Sequence, residues 1–567
     1  MMMKSFFICV LLTVSTFLIA QVEYQKGYFR SPVDHTIRVS GSFAELRPNH
    51  FHAGLDIKPN PKGGKNYIYA VADGYISRIN IKESGYGQAV YIAHDNGYTS
   101  VYVHLDKLSE KLESYIKDIQ YQKKSFVVNE FPAAYAVPIK KGEIIGVMGN
   151  KGRSFGKHLH FEIRETDTEK TVNPLLFDFP VEDARRPYIN GIYLYALDTD
   201  RETISKKYYP TKKINDNTYH INIAENHIRF GAWRTGIAVR TYDYFTGAAN
   251  LNGVYSIKMH VDDLLSFEYN AEKFSFDETR YLNAHIDYDL KKRKGNYFNR
   301  CFLLKGNQLS MYESVHNDGV IPLYKDKPQR IKITVSDARG NDVHLVFNIS
   351  RATNMLPQDL GSGYNYIVYH DTPFSFLQED MGMEMEAGSV YNNTRLTATS
   401  TPSTSTTSRS KLVEIGTGYE PIHKPVKLKI KPTGGQLEKL VARYGSSKSP
   451  SFFTGKFTGE FFEIETKYLG KYRLEEDLLA PTLRSVTFRS DMRNQSSFGI
   501  QVKDDKSGVA TYNGYVDGNW ILIEYDEKND LLRHDFDGKI TPGNHTFRLE
   551  VTDAVGNQKV YERKFLK

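Results

Sequence analysis

Two histidines, His158 and His160, stand two residues apart in Gly156-Lys157-His158-Leu159-His160-Phe161-Glu162-Ile163-Arg164. Leu, Phe and Ile alternate there with His, His and Glu, the period of a strand with one apolar face. Both imidazoles then leave on the same side, about 6–7 Å apart along the chain. Two imidazoles so placed can share a metal centre, one as ligand and one as proton donor or acceptor. The other reading is an exposed strand that merely carries two histidines. Upstream, Asn49-His50-Phe51-His52-Ala53-Gly54-Leu55-Asp56-Ile57 offers His52 and Asp56 four apart. On a helix that spacing would also converge, but Gly54, Pro48 and Pro59 favour strand or loop. A histidine, a carboxylate and a distant histidine make an N/N/O set that leaves the fourth position of a tetrahedral zinc open. In Tyr102-Val103-His104-Leu105 a further histidine is expected on a strand, on the face of Tyr102.

The ordered motifs resemble the zinc metallopeptidases of the LytM/lysostaphin type, peptidase family M23. The resemblance rests on His52-x-Gly54-x-Asp56, then Tyr102-x-His104-Leu105, then Gly156-Lys157-His158-Leu159-His160-Phe161-Glu162. Ala72-Asp73-Gly74-Tyr75-Ile76, Gly85-Tyr86-Gly87-Gln88, Lys141-Gly142-Glu143-Ile144-Ile145-Gly146 and Asn173-Pro174 resemble further family strands and turns, so that residues 43–178 are covered. The resemblance implies Zn2+ held by His52, Asp56 and His160, with His104 and His158 flanking the open position. One of these would exchange a proton at near-neutral pH and the other hold the oxyanion. It also implies an endopeptidase acting on the peptide cross-links of peptidoglycan, at the D-Ala to diaminopimelate bond rather than a glycine bridge. A non-catalytic family member that binds or activates an envelope partner is the alternative. Such proteins usually lose a ligand, whereas all five positions are filled here. His50 would line the cleft or stand on the surface, His94 precedes a turn, and Glu162 is expected to support the ligand strand from behind.

These residues need β structure to position them, and the whole chain reads as all-β. It has 567 residues, 40% hydrophobic, with 39 Tyr and 32 Phe. A LytM-type antiparallel domain over 21–180 is expected, followed by about three β-sandwich domains. Leu105, Leu108, Leu112, Tyr115 and Ile119 recur at helical spacing and predict an amphipathic helix in an insertion over about 106–137. Because the motifs are contiguous, a fragment ending near 180 is expected to fold and keep the metal. Residues 181–350 and 481–567 echo each other. Val335-Ser336-Asp337-Ala338-Arg339-Gly340-Asn341 matches Val551-Thr552-Asp553-Ala554-Val555-Gly556-Asn557, which suggests two immunoglobulin-like sandwiches, the first with an insertion. Their Asp-Ala-x-Gly-Asn turns suit calcium or, as plain turns, a glycine at positive φ. Between them, 351–480 is a β region of unnamed type with a Ser/Thr-rich mobile loop at 397–410.

A charged Lys4, an apolar run from Phe6 to Ile19 and Ala20 before Gln21 read as a signal segment over residues 1–20. No later stretch is apolar enough for a membrane span. Cys9 lies in that segment, which leaves Cys301 alone. The net charge of +7 is a mild bias and gives no case for nucleic acid. Export without disulfides or a wall-sorting tail suggests the periplasm or cell envelope of a Gram-negative bacterium, with an envelope protein as a further candidate partner of the C-terminal β domains.

Overall fold

A computed structural model describes residues 24–325, 327–356, 363–445 and 449–567, so the signal segment lies outside the described residues. In the N-terminal region seven strands form the main path of one antiparallel sheet. They are β1 (Val39–Gly41), β2 (Leu55–Ile57), β3 (Gly74–Ile81), β4 (Gln88–Ala93), β5 (Tyr98–Val103), β6 (Val128–Glu130) and β7 (Leu159–Glu165), in the spatial order β1-β2-β7-β5-β4-β3-β6. β7 is flanked by β2 and β5, in a register that sets His160 opposite both Asp56 and Val103. Leu159, Phe161 and Ile163 point into the core together with Leu55, Ile57 and Tyr102. Burial of each such side chain contributes roughly 1.5–3 kcal/mol. That fixes the register, because a one-residue slip would turn the histidines inward.

The insertion differs from its expected form. Helix α1 spans Glu110–Lys123 only, with Leu112, Ile116 and Gln120 buried. Leu105 and Leu108 belong instead to a strand, Leu105–Leu108, paired with Ile144–Met148. A bulge shifts that pairing by one residue. The two inward positions are therefore three apart, and the strand imitates helical spacing.

The rest of the described residues are mainly β structure, with short helices at Leu282–His285 and Tyr288–Lys294. Residues 188–351 carry a path of strands whose inward residues share one core. Residues 366–476 hold two five-stranded sheets around another core, and 482–566 two four-stranded sheets. The Ser/Thr-rich segment 397–410 is in part regular structure: Ala398–Thr401 pairs with Leu412–Ile415, and the Arg409 guanidinium donates to Glu476. β-Branched threonines suit a strand as readily as a loop. The last sandwich packs back on the first domain. Tyr121 Oη donates to Asp537 (2.6 Å), Tyr512 Oη donates to Glu83 (2.7 Å), and Lys151 pairs with Glu524. Among the described residues no helix is long and apolar enough to cross a membrane.

The peptidase-like region and the following sandwich share a core. Phe43, Ala44, Phe51 and Ala53 cluster with Ile189, Ile237 and Ile257 rather than with the residues around β7. Thr171–Val172 also pairs with Lys273–Phe274, which carries the first sheet into the next region. A fragment ending near residue 180 would take most of this core away from Phe43 and Phe51, at roughly 1.5–3 kcal/mol each. We therefore expect residues 24–180 to be about 3–6 kcal/mol less stable than residues 24–356. Urea unfolding of the two fragments checks this, and equal stability would show that the shared core contributes nothing.

Candidate metal centre

The three residues at the centre are buried and converge. His52 Nε2 lies 3.0 Å from Asp56 Oδ1 and 2.8 Å from His160 Nδ1, and His160 Nδ1 is 3.0 Å from Asp56 Oδ1. The cross-strand register delivers His160 to Asp56. Gly54 lets β2 lie close to β7: a Cβ there would fall 2.2 Å from the Phe161 carbonyl oxygen.

The outer nitrogen of each ligand histidine faces a group that only accepts. His52 Nδ1 is 2.7 Å from the Ser42 carbonyl oxygen, and His160 Nε2 is 2.8 Å from Glu162 Oε1. Those nitrogens therefore carry the protons, and His52 Nε2 and His160 Nδ1 are left as lone pairs aimed at one another beside a carboxylate oxygen. Such a set of mutually facing acceptors needs a cation between them, so the donors fit a metal. Without one, the centre holds a proton instead. Burial opposes charge on His160, yet its hydrogen bonds to Asp56 and Glu162 raise it to about 9. Burial lowers His52 to about 4, while the surrounding histidines outweigh burial at Asp56 and hold it well below the usual carboxylate range.

His158 and His104 flank this set. His158 Nε2 is 3.4 Å from Asp56 Oδ1, and its Nδ1 is 2.8 Å from the Gly156 carbonyl oxygen. The His104 ring stands 5.0 Å from that of His158 and 6.1 Å from that of His160. His104 does not share a strand face with Tyr102, as its sequence position suggests. It sits between two strands at φ +64°, which turns its ring to the histidine side. Tyr102 stays on the core side against Phe161, where its hydroxyl accepts from the Val71 N–H. His104 Nδ1 donates to the Lys151 carbonyl (2.8 Å), so Nε2 keeps a free lone pair. Burial, with His160 and His158 nearby, lowers His104 to about 3. His50 lies exposed with Nδ1 on the Pro48 carbonyl, and His94 is tied to Asp73 O and Ser100 Oγ; neither joins the centre.

Four contributors were not evident in the sequence. Arg47 donates to Asp56 Oδ2 at 2.5 Å and leaves Oδ1 for the centre. Gly41 makes room for that pair: a Cβ there would meet Arg47 Nη2 at 2.3 Å and Asp56 Oδ2 at 2.7 Å. Tyr86 Oη donates to Glu162 at 2.5 Å, and Arg164 Nε donates to its other oxygen at 2.7 Å. Glu162 is thus a fully buried carboxylate with every oxygen engaged. Removing its charge weakens its grip on the His160 proton. Glu162→Gln is expected to lower metal affinity 10–100-fold. Competition with a chromogenic chelator measures this, and an unchanged affinity would separate Glu162 from the centre.

The model of peptidase family M23 matches residues 50–121 and 129–174, and that of the Zu5-like domain matches residues 365–477. Lipoprotein NlpD of Yersinia enterocolitica is 31% identical over 110 residues, which cover 19% of this chain and 87% of that protein. The DD-carboxypeptidase/endopeptidase Mpg of Neisseria meningitidis is 30% identical over 157 residues, covering 28% of this chain and 27% of Mpg. The peptidoglycan DD-endopeptidase ShyC of Vibrio cholerae is 28% identical over 162 residues, 28% of this chain and 30% of ShyC. Through this region the chain belongs to peptidase family M23, a family of metallopeptidases. It spans less than a third of the length of Mpg and of ShyC.

Proposed function

We propose that the chain is an exported zinc-dependent endopeptidase that hydrolyses peptide cross-links of peptidoglycan, at the D-Ala to diaminopimelate bond. The observation that carries this reading is the meeting of His52, Asp56 and His160 lone pairs within 3.0 Å, with two further imidazoles beside them. Bound zinc would supply Lewis acidity toward the scissile carbonyl and the attacking water. His52, Asp56 and His160 would hold it, and Arg47 would keep Asp56 on one oxygen. His104 Nε2, neutral and unprotonated, is suited to accept a hydrogen bond from the attacking water, and His158 to steady the developing oxyanion or return a proton to the leaving amine. The names of Mpg and ShyC support the substrate class, and the apolar segment at residues 6–19 supports export. Digestion of purified sacculi followed by mass spectrometry tests it. Conversion of cross-linked dimers to monomers is the expected result. Release of peptide-free glycan would point to an amidase, and no product from zinc-loaded protein would favour a binding role.

A further inference from the structure

Two clusters of carboxylates lie outside the histidine centre, beside the repeated turns of the two echoing sandwiches. In the first, carboxylate oxygens of Asp183, Asp243 and Asp337 all lie within 4.8 Å of one another; in the second, those of Asp477, Asp504 and Asp505 do. The turns beside the two clusters correspond, although the second cluster holds Asp505 and not Asp553, the counterpart of Asp337. Asp337 Oδ1 accepts from the Arg339 and Asn341 N–H groups (2.8 and 2.9 Å), and Asp553 Oδ1 from those of Val555 and Asn557 (3.0 and 2.8 Å). Asn341 Nδ2 then reaches the Asp183 carbonyl (3.4 Å), as Asn557 Nδ2 reaches that of Asp477 (2.9 Å). Asp183 and Asp477 each stand where one module ends and the next begins.

A tight turn accounts for Asp337 and Asp553, whose oxygens are engaged. It leaves the others unexplained. Asp243 is 1% exposed and Asp477 is 0% exposed, yet Oδ1 of each is buried with no hydrogen-bond partner. Asp183 Oδ2 and Asp504 Oδ1 are likewise buried and unpartnered. No lysine or arginine is paired with these carboxylates among the described residues. Arg339 gives its guanidinium to the Phe179 and Val181 carbonyls, Arg185 donates to the Ala248 carbonyl, and Lys506 reaches the Glu476 carbonyl. Burial and the neighbouring carboxylates push Asp243 up to about 8, and burial first, then Asp337, moves Asp183 to about 6. Buried, unpaired carboxylate oxygens facing one another are costly unless a cation joins them.

We propose that each cluster is a divalent-cation site of the oxygen-ligated, calcium-binding kind, clamping an inter-module connection to the turns of the sandwich that follows it. Only oxygen donors are present, which suits a hard cation and not the zinc of the histidine centre. Bound at Asp183, Asp243 and Asp337, the ion would tie the exit of the peptidase region to the first sandwich. Bound at Asp477 and Asp504, it would tie the Zu5-like region to the last sandwich, which itself packs on the peptidase region through Tyr512 and Trp520. The ions would thereby fix how the modules stand around the histidine centre.

The test is equilibrium dialysis of the full chain against radiolabelled Ca2+ in resin-treated buffer, with thermal unfolding alongside. Two ions per chain are expected, with a rise in Tm. Asp243→Asn should lose one ion and Asp477→Asn the other, each keeping its counterpart. In calcium-free buffer Asp243→Asn should melt at or above the wild type, since it replaces a buried carboxyl crowded by other carboxylates with a neutral amide of the same shape. A carboxylate with a purely structural role would instead lower Tm with and without calcium. If either variant fails to fold, Asp183→Asn and Asp504→Asn, at partly exposed carboxylates, take its place. Absence of saturable uptake at millimolar Ca2+, or uptake unchanged by these substitutions, would overturn the proposal.

Discussion

His160→Ala abolishes bound metal and cleavage together: that is the expected result of the first experiment, because one side chain serves both ends of the site. Its Nδ1 is one of three donors that meet within 3.0 Å. Its Nε2 is held by Glu162, itself clamped by Tyr86 and Arg164. Substituting a supporting group costs 10–100-fold in metal affinity, so removal of the ligand itself should exceed that range and leave less than a tenth of an equivalent after dialysis. The fold should persist. β7 is held by Leu159, Phe161 and Ile163 on its other face, and Glu162 retains two donors. Elemental analysis together with circular dichroism decides the matter. A variant that is folded and fully loaded would remove His160 from the ligand set, and with it the proposed centre.

The face of β7 was legible because it obeys a simple period: Leu159, Phe161 and Ile163 alternate with His160 and Glu162, and burial enforces the register. His52 and Asp56 were legible for a related reason, since Gly54 and the prolines excluded a helix. What escaped reading depends on backbone geometry or distant partners. A positive φ at His104, a residue with no glycine-like signature, reverses the face that alternation assigns it. The bulge in Leu105–Leu108 makes a strand look helical. Arg47 meets Asp56 only because the chain turns back between Leu46–Arg47 and His50–Phe51 and because Gly41 carries no Cβ. The shared core of Phe43 and Phe51 with the following sandwich has no local signature at all, because alternation tells that a residue is buried and not against what. The carboxylate clusters lie between these cases. Their turns repeat visibly, but the unpaired oxygens of Asp243 and Asp477 become apparent only in three dimensions.

The second large effect separates catalyst from ligand among four neighbouring imidazoles. His104 and His158 stand beside the donor set but engage it differently: His158 Nε2 is 3.4 Å from Asp56, outside the 2.8–3.0 Å that joins the three donors, and His104 touches only the Lys151 carbonyl and its neighbouring rings. Each has one nitrogen held by a backbone carbonyl, at Gly156 and at Lys151, which fixes the ring and leaves the other nitrogen facing the centre. A positioned acid or base contributes typically 10²–10⁴-fold, or ~3–5 kcal/mol of barrier. His158→Ala and His104→Ala are each expected to keep near-stoichiometric zinc while kcat/KM falls by about 10²–10⁴. Neither nitrogen is a metal donor in this arrangement, so chelator competition should move far less than for Glu162→Gln. Because both imidazoles serve one proton-transfer sequence, the double variant should fall short of the product of the two losses. Metal content and cleavage measured on the same four preparations decide it. Should His158→Ala lose zinc as fully as His160→Ala, the centre would have four protein donors and no open position. Hydrolysis at that centre would then have no place for the substrate carbonyl or the attacking water.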